Sequence, residues 1–465
     1  MSSNRKYFGT DGIRGKVGEA LLTPAFIQEL GRAFGTVFNG KKNVFIARDP
    51  RISSDMLQAA LSAGICSTGV SVCDLGVLPT PVCAFLTKKL AADAGIVISA
   101  SHNPYYDNGL KFFSNTGSKL SETQEISIEN VLETNKQNKQ HLISPNRIGK
   151  ILNDTNLAHH YIDHCNNIIQ AHNNQTSLDN IKNLKVIVDC SNGAMYKIAP
   201  HVLKNLGLKL TVINNEPNGF NINQECGSAC NKGLNTLSRL VKKNNADLGI
   251  AFDGDGDRVI LIDAKGEIID GDQILYLLAC EKIRTNQNFS GIVGTLMSNL
   301  GLEQAMQKKG VAFLRSNVGD RYVLEKLIEN NWHLGGETSG HILNLDKSTT
   351  GDGLIAALLV ISVMANTGLS LEELVKDFYK YPQIIINVNL SNINNDNNAD
   401  DILSRKSIKT AIKDIEDTLK GRGRLLVRKS GTEPLIRVMV EGEKLSEVET
   451  IAAQLADLIK KECSK

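Results

Sequence analysis

The chain has 465 residues, too many for one hydrophobic core, and its length suggests about three domains. Hydrophobic residues make up 42% and charged residues 22%, which excludes a disordered or fibrous chain. With 52 basic against 50 acidic residues the formal net charge is only +2, which excludes a nucleic-acid binder working through bulk charge.

The opening MSSNRKYFGTDGIRG has no apolar stretch, so no signal peptide is expected. The longest apolar run, Gly353 to Ala365, is too short to span a bilayer and reads as a buried helix. A cytoplasmic protein without membrane partners is the expectation. The nine cysteines are odd in number and scattered, and they read as reduced, mostly buried thiols.

Along the chain, TDGIRG first sets Arg14 on a Gly-flanked turn, a candidate phosphate contact. NVFIARDPR, SSDMLQAALSAGI and GVSVCDLG then read as strand, helix and strand, a βαβ unit. Next, ADAGIVISASHNP ends a short strand in a turn that is expected to expose Ser101. Neighbours on an extended chain point to opposite sides, so His102 is a poor base for Ser101. No G-x-S-x-G elbow is present either, and a Ser-His hydrolase is disfavoured. Lys111 follows Asn108-Gly109, where its ammonium could meet a phosphate carried by Ser101 or work as an acid or base. The polar stretch TNKQNKQHLISPNRIGKILNDT reads as a connector.

A second βαβ unit, KVIVDCSNGA with APHVLKNLGLKLTVIN, leads to ADLGIAFDGDGDR. There Asp253, Asp255 and Asp257 alternate with glycines. Carboxylates so close repel unless a cation sits among them, and hard oxygen donors select Mg²⁺, Ca²⁺ or Mn²⁺. An EF-hand is excluded, because Arg258 and Ala264 stand where its loop needs Gly and Glu. Three carboxylates leave a magnesium shell incomplete, and a phosphate on Ser101 would add a ligand.

A third unit, GIVGTLMSN with GLEQAMQKKGVAFLRS, leads to WHLGGETSGHI. Glu337, Ser339 and His341 alternate and would share one face of an extended segment. The carboxylate and hydroxyl suit vicinal sugar hydroxyls, and His341 suits a phosphate bond or a proton shuttle. SNINNDNNADD then reads as a mobile polar loop. The strands GRGRLLVR and LIRVMVEG bracket KSGTEP, so Arg428, Ser430, Gly431, Thr432 and Arg437 form a phosphate cradle without a Walker motif. Ser446 is the expected N-cap of a last helix, with Glu449 completing a capping box. Val448, Ile451, Ala452, Leu455, Leu458 and Ile459 make its apolar face.

The predicted fold class is α/β. Three similar α/β domains with mixed, mainly parallel sheets span residues 1–155, 156–262 and 263–375, and a smaller α+β domain spans 376–465, all around a central cleft. Each unit ends in one special loop at the carboxyl end of a strand, where ligands of open α/β sheets collect. A serine, a metal loop, sugar contacts and a distal phosphate grip imply phosphoryl transfer between a serine and a small phosphosugar.

FGTDGIRG, SASHNPYYDNGLKFF, DGDGDR, VGTLMSNLGLE, VGDRYVLE, GGETSGH and RKSGTEPLIRVMVEG, in that order and spacing, resemble the α-D-phosphohexomutases over essentially the whole chain. FGTDGIRG and GTLMSNLGLE resemble the branch acting on glucosamine phosphates. The resemblance implies a phosphorylated Ser101 and one Mg²⁺ per subunit on Asp253, Asp255, Asp257 and the Ser101 phosphate. It implies Lys111, Arg14 and His341 as catalytic groups beside the transferred phosphate, and Arg258 near the same site. Glu337 and Ser339 would bind sugar hydroxyls, and the Arg428 to Arg437 loop the non-reacting phosphate. The implied reaction exchanges glucosamine 6-phosphate and glucosamine 1-phosphate through a bisphosphate, for UDP-N-acetylglucosamine synthesis. A homodimer is a family-level expectation. Thr338 departs from the amide often found there in this branch. The rivals are a mutase of glucose or mannose phosphates, an aspartate-nucleophile phosphatase using DGDGD, and a phosphosugar-binding regulator without catalysis.

Overall fold

Each of the three βαβ stretches builds a sheet of one plan, and the plan decides where the special loops fall. The computed structural model describes residues 5–38, 43–137, 143–285, 289–390, 399–429 and 435–463. The first sheet comprises β1 (Ile13–Lys16), β2 (Asn43–Arg48), β3 (Ser71–Val77), β4 (Ala94–Ile98), β5 (Asp107–Ser114) and β6 (Ile151–Asn153), in the order β1-β5-β4-β2-β3-β6. The second comprises β7 (Lys185–Asp189), β8 (Lys209–Ile213), β9 (Leu248–Phe252), β10 (Val259–Asp263) and β11 (Ile268–Ile269), in the order β11-β10-β9-β7-β8. The third comprises β12 (Gly291–Thr295), β13 (Ala312–Ser316), β14 (Leu334–Gly336) and β15 (Ile342–Asn344), in the order β13-β12-β14-β15.

One pattern recurs in all three. The strand that opens the unit pairs in parallel with a later strand, β2 with β4, β7 with β9 and β12 with β14. That later strand then reverses into an antiparallel partner, β5, β10 or β15. The three reversals are where SASHNP, DGDGDR and ETSGH lie. β4 and β9 are buried at every position, as strands covered on both faces are, so their runs are apolar without alternation. The antiparallel fourth strand gave no separate signal, because it follows its partner after only a few residues.

The expected connector is partly structural. Its residues Ile151–Asn153 form β6, which pairs in parallel with β3 and closes the edge of the first sheet. The apolar run is the helix Gly353–Thr367, buried from Gly353 through Ala365. Asp352 caps it by accepting from the Ile355 N–H, and Gly368 ends it at φ +70°. Its start lies against the metal loop. Gly353 N–H donates to Gly256 O, and a Cβ on Gly353 would come within 2.6 Å of Arg258 O. Among the described residues no helix is long and apolar enough to cross a membrane. All nine cysteines are free, and six of them are buried.

The chain divides into two compact units, Met1–Thr295 with Leu314–Val375, and Leu296–Phe313 with Lys376–Lys465. The second unit holds an antiparallel sheet, β16 (Gln383–Asn389), β17 (Gly423–Lys429) and β18 (Leu435–Gly442), in the order β16-β18-β17. The helix Leu445–Cys463 covers it with Val448, Ala452, Leu455 and Ile459 fully buried and Ile451 and Leu458 at the edge of the core, the face expected from the sequence. That helix starts earlier than expected. Ser446 and Glu449 lie inside it, and the Glu447 and Val448 N–H groups donate to Lys444 O. In the Asn-rich stretch, residues 391–398 lie outside the described residues, and Ala399 already begins a helix.

Candidate functional site

Ser101 is not exposed. It is 1% accessible and its φ is +52°, a left-handed conformation unusual for a residue other than Gly. The turn holds it there through both of its peptide groups. Ser101 N–H donates to Ser99 Oγ at 2.9 Å, and Ser101 O accepts from Arg51 Nη2 at 2.9 Å. Asp49 anchors the arrangement by accepting from Ser99 Oγ at 2.5 Å and Arg51 Nε at 2.8 Å. The left-handed turn also removes the expected opposition of neighbours. His102 Nδ1 lies 3.4 Å from Ser101 Oγ and 3.3 Å from Arg258 Nη1, and burial, then the Arg258 charge, opposes a proton on that ring.

The Ser101 hydroxyl points into the acidic loop, donating to Asp253 Oδ2 at 2.5 Å. The close approach depends on Gly254, where a Cβ would come within 2.5 Å of Ser101 O. One oxygen each from Asp253, Asp255 and Asp257 lies within 4.8 Å of the others, all three side chains being buried. Burial, then the charges of Asp257 and Asp255, push the Asp253 carboxyl well above the usual range. Burial also opposes the Asp257 charge, yet Lys111 and His341 hold that carboxyl well below the range. Asp255 Oδ1 and Asp257 Oδ1 are buried without a hydrogen-bond partner among the described residues. Buried oxygen donors with spare lone pairs fit a hard divalent cation.

Lys111 reaches the same carboxylates. Its ammonium is 2.7 Å from both Asp255 Oδ2 and Asp257 Oδ2, and 3.4 Å from Asp11 Oδ2. Burial works against its charge, but Asp11, Asp255 and Asp257 raise its pKa well above the ordinary lysine value. These three carboxylates favour the charged ammonium of Lys111. Arg14 pairs with Asp11, and its Nη1 lies 3.5 Å from Ala100 O beside the serine. Asp11 also holds Lys119, which is 2.6 Å from Asp320 Oδ2. Asp320 faces His341 Nε2 at 3.6 Å, and His341 Nδ1 faces Asp257 Oδ1 at 3.6 Å. Burial opposes a charge on His341, but Asp257 and then Asp320 and Glu337 raise its pKa. These contacts close a ring of alternating charges running Lys111, Asp11, Lys119, Asp320, His341 and Asp257. A cavity of about 700 Å³ is lined by Lys119, Asp320, Arg321 and Thr350.

Residues 337–341 are a tight turn, not an extended segment, because Glu337 N–H donates to His341 O and Gly340 has φ +89°. Glu337, Ser339 and His341 consequently do not share a face. His341 turns into the buried ring, Glu337 accepts from Gly319 N–H at 2.9 Å, and Ser339 is exposed at the tip. Thr338 donates its hydroxyl to the buried Asp272 at 2.7 Å. Arg258 is held through its N–H on Asp253 Oδ1 at 3.2 Å, and its Nε is 4.0 Å from Asp257 Oδ1.

In the second unit, Arg428 and Arg437 face each other directly across β17 and β18. Burial and then Arg437 lower the Arg428 pKa. Like charges directly opposite destabilise a sheet. Ser430, Gly431 and Thr432 lie outside the described residues.

Sequence reasoning missed several members of the site. Thr80 donates its hydroxyl and its N–H to Asp255, at 2.5 and 2.9 Å, from the start of the helix Thr80–Lys89. Arg51, Asp11, Lys119, Asp320 and Asn223 were passed over as well. The Asp49-x-Arg51 pair at the carboxyl end of β2 was the available signal, since charge there is where ligands collect.

Comparison with known proteins matches four domains of one family. They are the Phosphoglucomutase/phosphomannomutase alpha/beta/alpha domains I, II and III over residues 5–139, 159–266 and 270–381, and the C-terminal domain over 386–458. A phosphoglucosamine mutase of Cronobacter sakazakii is 48% identical over 460 residues, covering 98% of this chain and 99% of that one. One of Haemophilus influenzae is 47% identical over 461 residues, covering 99% of each. A solved phosphoglucomutase/phosphomannomutase family protein of Burkholderia thailandensis superposes with TM-score 0.79 at 24% identity, covering 97% of each chain. The Aspergillus fumigatus N-acetylphosphoglucosamine mutase, solved with GlcNAc-6P and magnesium, superposes with TM-score 0.64 at 17% identity, covering 99% of this chain and 97% of that one. With its four domains matched in order and nearly half its residues shared end to end with those relatives, the chain belongs to the phosphoglucosamine mutases of the phosphoglucomutase/phosphomannomutase family.

Proposed function

We propose that this chain interconverts glucosamine 6-phosphate and glucosamine 1-phosphate, with Ser101 as the phosphoryl carrier. The observation that carries the reading is the 2.5 Å contact from Ser101 Oγ to Asp253 within a buried triad of carboxylates. Asp253, Asp255 and Asp257 would hold one Mg²⁺, which offsets the charge of a phosphoryl group on Ser101. Lys111 and Arg14 stabilise the transferring group from one side, and Lys111 carries the proton that a departing oxygen needs. His341, gripped by Asp257 and Asp320, does the same from the other side. Arg258 steadies the loop beside His102. Glu337 and Ser339 bind the sugar hydroxyls, and Arg428 and Arg437, with Ser430, Gly431 and Thr432, grip the phosphate that is not reacting.

In this cycle phosphoserine 101 passes its group to O1 of glucosamine 6-phosphate. The bisphosphate reorients, and its 6-phosphate returns to Ser101. Burial of Ser101 serves this chemistry, because a sheltered phosphoserine meets sugar before it meets water. Domain borders near residues 155, 262 and 375 and a cytoplasmic place in UDP-N-acetylglucosamine synthesis complete the reading. Thr338 spends its hydroxyl on Asp272, which supports a structural role at that position.

The test is kcat/KM on glucosamine phosphate against glucose and mannose phosphates, with Mg²⁺ and trace sugar bisphosphate. A preference of about tenfold or more for the amino sugar is expected, a difference of one well-placed polar contact. Equal or better rates on glucose or mannose phosphate would overturn the amino-sugar assignment.

A further inference from the structure

The loop that carries Ser101 is gripped from two domains at once. Arg51, fully buried, spends all five of its N–H groups. Nε donates to Asp49 Oδ2, Nη1 to Pro104 O and Asp107 O, and Nη2 to Ser101 O and Asn103 O. A carbonyl oxygen has two lone pairs, so Ser101 O and Asn103 O each keep one that Arg51 cannot fill. Asn223, which follows β8 in the next domain, reaches both. Its Nδ2 donates to Ser101 O at 2.9 Å and to Asn103 O at 3.1 Å. Asn223 is itself fixed in a left-handed conformation, φ +57°, with its N–H on Ser191 O at 2.9 Å.

We propose that Asn223 is a positioning residue for phosphoryl transfer, its amide locking the two carbonyls of the serine loop so that the Ser101 hydroxyl stays aimed at Asp253. The inference rests on Ser101 being the phosphoryl carrier. Asn223 bonds the backbone of the serine loop, and its Nδ2 also lies close to Gly254 of the acidic loop, where an added Cβ would come within 2.8 Å of it. The strained backbone of Ser101 is what makes a second clamp necessary, since a left-handed non-Gly residue relaxes when its partners leave. The contact also sets the serine of one domain in register with the acidic loop of the next.

The experiment compares Asn223→Ala and Asn223→Asp with the parent. Asp has the shape of Asn but turns an oxygen toward two carbonyl oxygens, whereas Ala only removes the donor. For the positioning role, kcat on glucosamine phosphate falls about 10- to 100-fold in the Ala variant and further in the Asp variant, with KM shifted less than about threefold. Hydrogen exchange of residues 99–107 quickens about tenfold in both. A role in packing alone gives the reverse order, Asp close to parent and Ala the worse, and that order overturns the proposal. So does unchanged exchange in the loop. Ser101→Ala assayed in parallel separates the two ideas. If that variant keeps turnover, the carrier assignment falls, and the exchange data alone decide whether Asn223 holds the loop.

Discussion

At the scale of single residues, the site is a problem of charge held out of water. Lys111 is 1% accessible and lies between three carboxylates, those of Asp11, Asp255 and Asp257. Removing one partner of such a cluster leaves buried charge uncompensated, which costs about 3–5 kcal/mol. Lys111→Met should therefore lose stability of that order in urea unfolding with chelator present. It should also lose turnover by about 100-fold or more, as expected for an acid or charge-stabilising group. Unchanged stability would show that the carboxylates do not depend on Lys111. The sequence singled out Ser101, Lys111 and the three aspartates, which the structure brings together, because such residues are costly to place together without a reason. It did not reveal that Ser101 is buried, because a left-handed backbone at a serine leaves no mark in composition. It also did not reveal Arg51, Thr80 or Asn223, whose roles exist only through contacts between residues far apart in the chain, such as Thr80 with Asp255.

At the scale of elements, two strands and one helix carry the next expectations. β17 and β18 set Arg428 directly opposite Arg437, two like charges side by side on the sheet. Arg437→Ala should raise KM for phosphosugars about tenfold or more while kcat changes little, the signature of lost uniform binding. A change confined to kcat would contradict a role in holding the distal phosphate. In the helix Gly353–Thr367, the cap Asp352 is buried and takes the Tyr161 hydroxyl on both oxygens at 2.9 Å. Burial pushes its carboxyl up from 3.8 to about 6. The folded state then binds this proton more tightly than the unfolded state, so the group's contribution to stability falls as pH rises from about 4 to about 6 and stays low above that. Asp352→Asn keeps the cap oxygen and has no charge to bury. It should gain about 1–3 kcal/mol over the parent at about pH 7.5 and nothing at about pH 4, read from unfolding curves at both. A gain that is the same at both pH values would refute the burial penalty. The expected sharing of one face by Glu337, Ser339 and His341 failed because strand periodicity was extended through Gly340, whose φ of +89° turns the chain instead.

At the scale of the whole chain, three sheets repeat one plan, and each places its special loop at the reversal after a strand parallel to the one that opened the unit. That repetition was legible, since each unit rewrites the same run of strand, turn, helix and Gly. The edge strands β1, β6 and β11 were not, being additions of only four, three and two residues. What the plan achieves in the first unit is convergence, for Ser101, Asp253 and His341 come from three different sheets to one buried cluster. The central claim is that Ser101 gives and takes back a phosphoryl group. The direct measurement is a chase: the protein is phosphorylated with sugar bisphosphate, the modified residue is located by peptide mass spectrometry, and glucosamine 6-phosphate is added for a single turnover. With that phosphoryl group isotopically labelled, label passing from Ser101 to glucosamine bisphosphate, or to glucosamine 1-phosphate once the serine has taken back the unlabelled 6-phosphate, in an amount equal to the label lost, is the expected result. Label found on an aspartate, or label that stays on Ser101 while the sugar turns over, would contradict it.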